Sequence, residues 1–226
     1  MILHGPSRFL QVDDVLAEND VSSIPIAAYA GESIPDLTGF DAVILSGGEY
    51  APSQLDTVPF LVEERDRVLE ALDQGVPILG VCLGHQLLAH WLGGRVERAP
   101  QFEVGWLEVT VNRDGLADPL LEGINQRYYA FLWHWDQVTE LPPGAVHLAS
   151  SEQCPIQAFR YGDLPVWGVQ SNPQYDAALA ESVLLGAPWL ANIGVDAEEM
   201  AARGYEVDDG SQDRIFSNFF AFVRRW

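Results

Sequence analysis

The apolar positions of this chain change period sharply at residue 82. Val76 to Val81 is a short continuous apolar run, with the length and β-branched content of a buried parallel strand. From Leu83 onward the apolar residues Leu83, Leu87, Leu88, Trp91 and Leu92 fall on one helical face, and Gly93-Gly94 stops the helix. Upstream, Pro59 to Gln74 has an amphipathic helical pattern, with Phe60, Val68, Leu69 and Leu72 on the apolar side and Gly75 closing it. Phe40 to Ser46 reads as a strand, Ser23 to Ala28 as a weaker one, Val12 to Asn19 as a short helix, and Met1 to His4 as a clipped strand before a Gly5-Pro6-Ser7 turn. The alternation of strand and helix predicts a parallel sheet with helices on both faces.

After Gly94 the pattern becomes strand-like: Arg95 to Ala99, Trp106 to Val111, Tyr128 to Leu132, Val146 to Ser150, Ile156 to Arg160 and Val166 to Gln170, separated by turn residues such as Asn112-Arg113-Asp114-Gly115. Leu179 to Ile193 reads as a helix interrupted near Gly186-Ala187-Pro188. An acidic stretch from Asp196 to Met200 follows, and then a last helix from Ser211 to Arg225. With 226 residues, 48% of them apolar, the chain has enough material for one α/β domain over residues 1–226.

Charge narrows the function classes. Twelve Lys and Arg against 33 Asp and Glu give a net charge of −21, which repels phosphate backbones and argues against nucleic-acid partners. Two cysteines, Cys82 and Cys154, cannot make a disulfide framework. Reduced thiols, with neither a signal peptide nor a long apolar stretch to be read, predict a cytoplasmic protein without a membrane partner.

The period switch contains the chemistry. Gly80-Val81-Cys82-Leu83-Gly84 has the form of a nucleophile elbow, with cysteine in the serine position. A lone cysteine is usually a small buried hydrophobe, but the two flanking glycines permit a turn too sharp for a Cβ, which lifts the central side chain clear of the backbone. A thiol at a helix N-terminus is expected to lean toward thiolate. The run Gly-Val-Cys-Leu-Gly-His-Gln-Leu-Leu-Ala resembles the elbow of the class I glutamine amidotransferases, which use a Cys-His-Glu triad. The likeness extends from about Asp36 to Gln174, through Ser46-Gly47-Gly48, Glu103-Val104-Gly105-Trp106 and Trp133-His134-Trp135-Asp136.

That resemblance implies a flavodoxin-like α/β architecture with a mostly parallel central sheet flanked by helices. It implies hydrolysis of glutamine, or transfer of its amide, through a thioester at Cys82. The N–H groups of Gly48 and Leu83 would form the oxyanion hole. Gln86, Glu103, Gly105, His134, Trp135 and Asp136 would line the glutamine site, with Trp135 standing where the family has glycine. No cofactor and no metal is implied, and any ammonia would go to water or to a separate synthetase or acceptor subunit.

The relay departs from the family pattern. Trp167-Gly168-Val169-Gln170-Ser171-Asn172-Pro173-Gln174 aligns with the stretch Gly-x-Gln-Phe-His-Pro-Glu, so Asn172 occupies the histidine position and Gln174 the glutamate position. Neither amide titrates near neutral pH, and neither can serve as a general base. His134, read as lying on a loop beside the site, is the candidate substitute base. Three readings stay open: an amidotransferase-type enzyme with weakened activity, a pseudoenzyme that binds glutamine, a related ligand or a partner protein, and a peptidase or isomerase built on the same elbow. Gln86 argues against the third.

Overall fold

A computed structural model of the chain describes residues 1–6 and 12–226. Of the opening turn, Ser7 lies outside the described residues. The core element is a seven-stranded sheet in the order β1-β2-β7-β6-β5-β3-β4. Its strands are β1 (Val43–Leu45), β2 (Ile78–Val81), β3 (Arg95–Val111), β4 (Arg127–Glu140), β5 (Ala145–Ser150), β6 (Ala158–Tyr161) and β7 (Val166–Val169).

The expectation of a mostly parallel sheet is corrected. Only β1–β2 and β2–β7 pair in parallel, whereas β7–β6, β6–β5, β5–β3 and β3–β4 are antiparallel, so the sheet is mixed. The reason is the connections. The first half joins its strands by helical crossovers, while β5, β6 and β7 follow one another through short turns that can only reverse direction. The opening residues add only isolated parallel bridges, from Ile2 to Ile26 and to Leu45, in place of two full strands.

Helices cover both faces. α1 (Asp13–Glu18) and α7 (Arg214–Val223) lie on the side of the cluster formed by Val81, Val109, Trp167, Ile215, Phe216, Phe219 and Phe220. α2 (Pro59–Asp73) buries Leu61, Val68, Ala71 and Leu72 on the other side, and α3 (Leu83–Trp91) packs beside it. A one-turn helix, α4 (Arg113–Leu116), is capped by Asn112, whose Oδ1 accepts from the Gly115 N–H.

Two further helices cap one end of the long hairpin β3–β4. α5 (Ala177–Leu185) is capped by Asp176, and α6 (Ala197–Val207) by Asp196, whose carboxylate accepts from the N–H groups of Glu198 and Glu199. The acidic stretch at 196–200 is therefore the start of a helix. Between them runs a 3-10 segment, Pro188–Ile193. Among the described residues, no helix is long and apolar enough to cross a membrane.

Candidate active site

The elbow is built from backbone approaches that exclude side chains. A Cβ on Gly80 would press into the Gly84 carbonyl, and one on Gly84 into the Leu45 carbonyl. The turn that results puts Cys82 at φ 53° and ψ −104°, between the end of β2 and the first residue of α3. For a non-glycine residue this is a strained conformation, of the kind nucleophile elbows hold in place by packing on both sides. Cys82 N–H donates to the Val169 carbonyl at 2.8 Å, and Gly84 N–H to the Ser46 carbonyl at 3.1 Å. The strand ends of β1, β2 and β7 thus meet at one point.

Burial decides the protonation of the thiol. Cys82 is 7% exposed, and removal from water pushes its pKa up to about 11. The Leu83 N–H and the Asn172 side chain act in the opposite direction, and the Asp136 charge adds to the rise. The expected lean toward thiolate is therefore corrected: one N–H and one amide do not offset desolvation. The sulfur lies 3.8 Å from the Trp133 carbonyl, to which the S–H donates.

Asn172 lies beside the Cys82 thiol, and Gln174 beside Asn172. A Cβ placed on Gly47 would lie 3.6 Å from Asn172 Oδ1 and 3.9 Å from the Cys82 sulfur, so both side chains face the same spot. Asn172 Nδ2 is buried without a full hydrogen bond, though the amide is near enough to favour thiolate. Behind it, Gln174 Nε2 donates to Asn172 Oδ1 at 3.5 Å, and Gln174 Oε1 is also unpartnered. The backbone of Asn172 is pinned to β4 by its N–H donating to the Phe131 carbonyl at 2.9 Å.

The other candidates fall into two groups. Gly48, Gln86, His134, Trp135 and Asp136 line a cavity of about 470 Å³ that opens over Cys82. Gln86 Nε2 is already bonded to the Asp136 carbonyl at 2.7 Å and to Gln170 Oε1 at 3.1 Å. Leu83 follows the nucleophile as the first residue of α3, with its N–H directed at the sulfur. Gly48 is held tightly: a Cβ there would meet the His4 Cβ at 2.6 Å and Leu83 Cδ2 at 2.8 Å.

Glu103 and Gly105 lie outside the cavity wall. Glu103 is 2% exposed and accepts from Ser151 Oγ at 2.5 Å and Gln157 Nε2 at 2.9 Å. Gly105, at φ +91°, makes room for the Met200 side chain of α6.

His134 sits within β4, not on a loop, and its ring nitrogens face groups other than the sulfur. Nδ1 faces the Asp136 carbonyl at 3.0 Å, and Nε2 stands 2.8 Å from Glu103 Oε2 at an angle too poor for a hydrogen bond. Among the described residues, Glu103, His134 and Cys154 are the one set whose ligand atoms all lie within 4.8 Å of one another. Direct contact between His134 and Glu103, with Ser151 and Gln157 on the same carboxylate, fills the space an ion would need. His85, buried against Phe159, has its pKa pushed down to about 3 by desolvation, so it stays neutral.

Sequence reasoning misses six residues of the wall: Tyr50, Ala51, Gln54, Arg98, Phe102 and Trp189. Phe102 adjoins the Glu103-Val104-Gly105 motif, and Tyr50 and Ala51 follow closely on Ser46-Gly47-Gly48; that proximity is the available signal. Trp189 lies far along the chain on a 3-10 segment, and nothing local marks it.

A strained cysteine at a strand-to-helix turn, facing a largely aromatic cavity at the end of a mixed sheet, defines an α/β protein of the cysteine-elbow kind. The chain belongs to the family "Glutamine amidotransferase class-I", whose model matches residues 11–184. It is 40% identical over 110 residues to a subunit of the glutamine-hydrolyzing GMP synthase of Pyrococcus abyssi, covering 48% of this chain and 57% of that protein. The corresponding subunit from Pyrococcus furiosus is 33% identical over 150 residues, covering 62% and 74%. The chain spans little more than half the length of the Pyrococcus abyssi subunit. A glutamine amidotransferase structure from Thermotoga maritima superposes with a TM-score of 0.86 at 26% identity, covering 98% of this chain and 96% of that one.

Proposed function

We propose that this chain binds a glutamine-type amide over Cys82 and turns it over weakly, because the groups that should carry protons are Asn172 and Gln174. In the reaction the family resemblance implies, the sulfur attacks the amide carbonyl and ammonia leaves with the thiol's proton. Water then splits the thioester to give glutamate and restore the thiol. Each step needs a group that takes and returns a proton. An amide cannot do so, and a thiol with a pKa of about 11 is ionised in only about one molecule in ten thousand at pH 7. The observation that carries this reading is the placement of Asn172 against the sulfur, backed by Gln174.

What remains is a pocket and an anion-stabilising turn. The Gly48 and Leu83 N–H groups are the proposed oxyanion donors, and they need no base to bind a carbonyl. The second reading, a ligand-binding pseudoenzyme, is favoured by the same pair: Asn172 and Gln174 bond to each other as a neutral unit. His134 as a substitute base is the weaker idea, since its nitrogens face Asp136 and Glu103. Because the relatives are named as one subunit of a synthase, a separate synthetase partner is the natural destination of any ammonia.

Calorimetric titration with glutamine, alongside an ammonia-release assay on wild type and Cys82→Ala, tests the proposal. Binding with turnover at least about a thousandfold below that of a triad enzyme is expected, given the usual cost of losing the base. Rapid turnover by the wild type, lost in Cys82→Ala, would overturn it. Absence of glutamine binding would remove the glutamine reading altogether.

A further inference from the structure

The cavity over Cys82 is larger and more aromatic than an unsubstituted glutamine requires. At about 470 Å³ it falls within the range of roughly 300–1,000 Å³ that holds drug-sized ligands. One wall is made of rings from three separate elements: Phe102 on β3, Trp133 and Trp135 on β4, and Trp189 on the 3-10 segment. Phe102 stacks on Trp135 with centroids 4.3 Å apart and planes 23° apart. Trp189 reaches Phe102 at 5.5 Å and Trp133 at 5.8 Å, the latter edge-on.

These rings are fixed but not sealed. Phe102, Trp133 and Trp135 are half-buried, and Trp189 is 39% exposed. Arg98, itself part of the cavity wall, places its guanidinium carbon 4.4 Å above the Trp135 ring and pairs with Asp136 at 3.3 Å, which braces the indole. An aromatic cluster that served only packing would close over itself. This one keeps ring surface on the cavity that holds the nucleophile. Trp135 also stands where the likeness to the family leads one to expect glycine, so the indole is an addition to the pocket.

Resting on the reading that Cys82 receives a glutamine-type amide, we infer that the ligand carries a planar aromatic group, which stacks on the wall formed by Phe102, Trp135 and Trp189 while its carbonyl lies at Cys82. The ring can be attached at either end of the glutamine skeleton. Attachment to the amide nitrogen or to the α-amino nitrogen both leave the side-chain carbonyl free, and the stacking chemistry is the same.

The test compares three probes on the wild-type chain by calorimetry and tryptophan fluorescence: glutamine, γ-glutamyl anilide and N-α-benzoyl-glutamine. One of the two ring-bearing probes is expected to bind about tenfold more tightly than glutamine, in line with the additional stabilisation of aromatic pairs. Which of them does so identifies the end that carries the ring. The advantage should fall toward onefold in Trp135→Gly and in Trp189→Ala, and Trp135→Phe should retain most of it. Trp135→Phe keeps a ring in the wall, so it also guards against a loss caused by misfolding.

Glutamine binding that neither ring-bearing probe improves upon overturns the inference and leaves the glutamine reading standing. So does an advantage that survives in both Trp135→Gly and Trp189→Ala. If no probe binds, glutamine included, the underlying reading falls and the inference with it.

Discussion

Glu64 holds His4 with both carboxylate oxygens, 2.9 and 3.0 Å from Nε2, although neither side chain reaches solvent. The other ring nitrogen faces the Ser46 carbonyl at 2.8 Å, and the His4 N–H donates to Ser46 Oγ at 3.0 Å. Ser46 leads directly into Gly47-Gly48, and His4 packs under Gly48. A buried ion pair therefore sits beneath the loop that forms one side of the Cys82 cavity.

Burial lowers the pKa of His4, but attraction to Glu64 and hydrogen bonds to Glu64 and Ser46 outweigh it, so the folded value lies above the ordinary 6.5. The pair's contribution is full below about pH 6.5 and is lost as pH rises through the raised folded value. Glu64→Gln leaves the imidazolium without its counter-charge, and removing one partner of a buried pair costs about 3 kcal/mol or more. Urea unfolding of wild type and Glu64→Gln should show that loss at about pH 6 and a smaller one at about pH 8.5. A difference that does not vary with pH would show that His4 is neutral throughout.

Gly105→Ala tests the long hairpin. The residue has φ +91°, and a Cβ would run into the Met200 side chain that α6 places there. Left-handed backbone on a non-glycine residue costs of order 1–3 kcal/mol, and displacement of Met200 adds to it. A loss of about 2 kcal/mol or more in denaturant unfolding is expected, with wild-type stability in the variant as the contrary result.

The elbow is legible in the sequence because two periodicities meet at Cys82 with glycines on both sides, and nothing else in the chain imitates that. The strand pieces of the second half are legible individually, but not their joining. Arg95–Ala99 and Trp106–Val111 are one strand, β3, bent by a register shift between Arg98 and Glu103. Tyr128–Leu132 continues through Trp133-His134-Trp135-Asp136 to Glu140, which is why His134 lies on a strand facing Glu103. Direction of pairing is a long-range property, absent from local alternation, so the mixed sheet does not show in it. The state of the thiol escapes the sequence for a related reason. A helix terminus is visible there, but the burial that outweighs it is set by residues distant along the chain.

Alkylation should separate the two cysteines. Cys82 is 7% exposed on the cavity wall, with its pKa raised to about 11 by burial. Cys154 is fully buried, with a pKa raised to about 12 by burial and by the Glu103 charge, and its S–H donates to the Ile156 carbonyl at 3.5 Å. Brief treatment of the native chain with iodoacetamide, followed by peptide mapping, should label Cys82 first. The rate should rise about tenfold per pH unit between about 7 and 10, because the thiolate is the reacting form. Preferential labelling of Cys154, or a rate that is flat with pH, would contradict the assignment.

Restoring the relay is the decisive experiment on turnover. Asn172→His places an imidazole where an amide now faces the sulfur, and the neighbouring cavity gives it access to both thiol and substrate. Alone it should recover little, because Gln174 cannot hold the imidazolium or fix its tautomer as a carboxylate does. Asn172→His with Gln174→Glu supplies both functions, and Gln174 already lies 3.5 Å from the residue it would orient. An imidazolium beside the sulfur should also lower the thiol's pKa from about 11, so the rate should gain from the base and from a larger thiolate fraction together. Ammonia release from glutamine is expected to rise by about two orders of magnitude or more in the double variant, and by clearly less in the single one. His134→Ala should leave wild-type turnover unchanged if that residue serves Glu103 alone. Loss of wild-type turnover in His134→Ala, or a double variant no faster than wild type despite intact glutamine binding, would show that the missing base is not what limits this site.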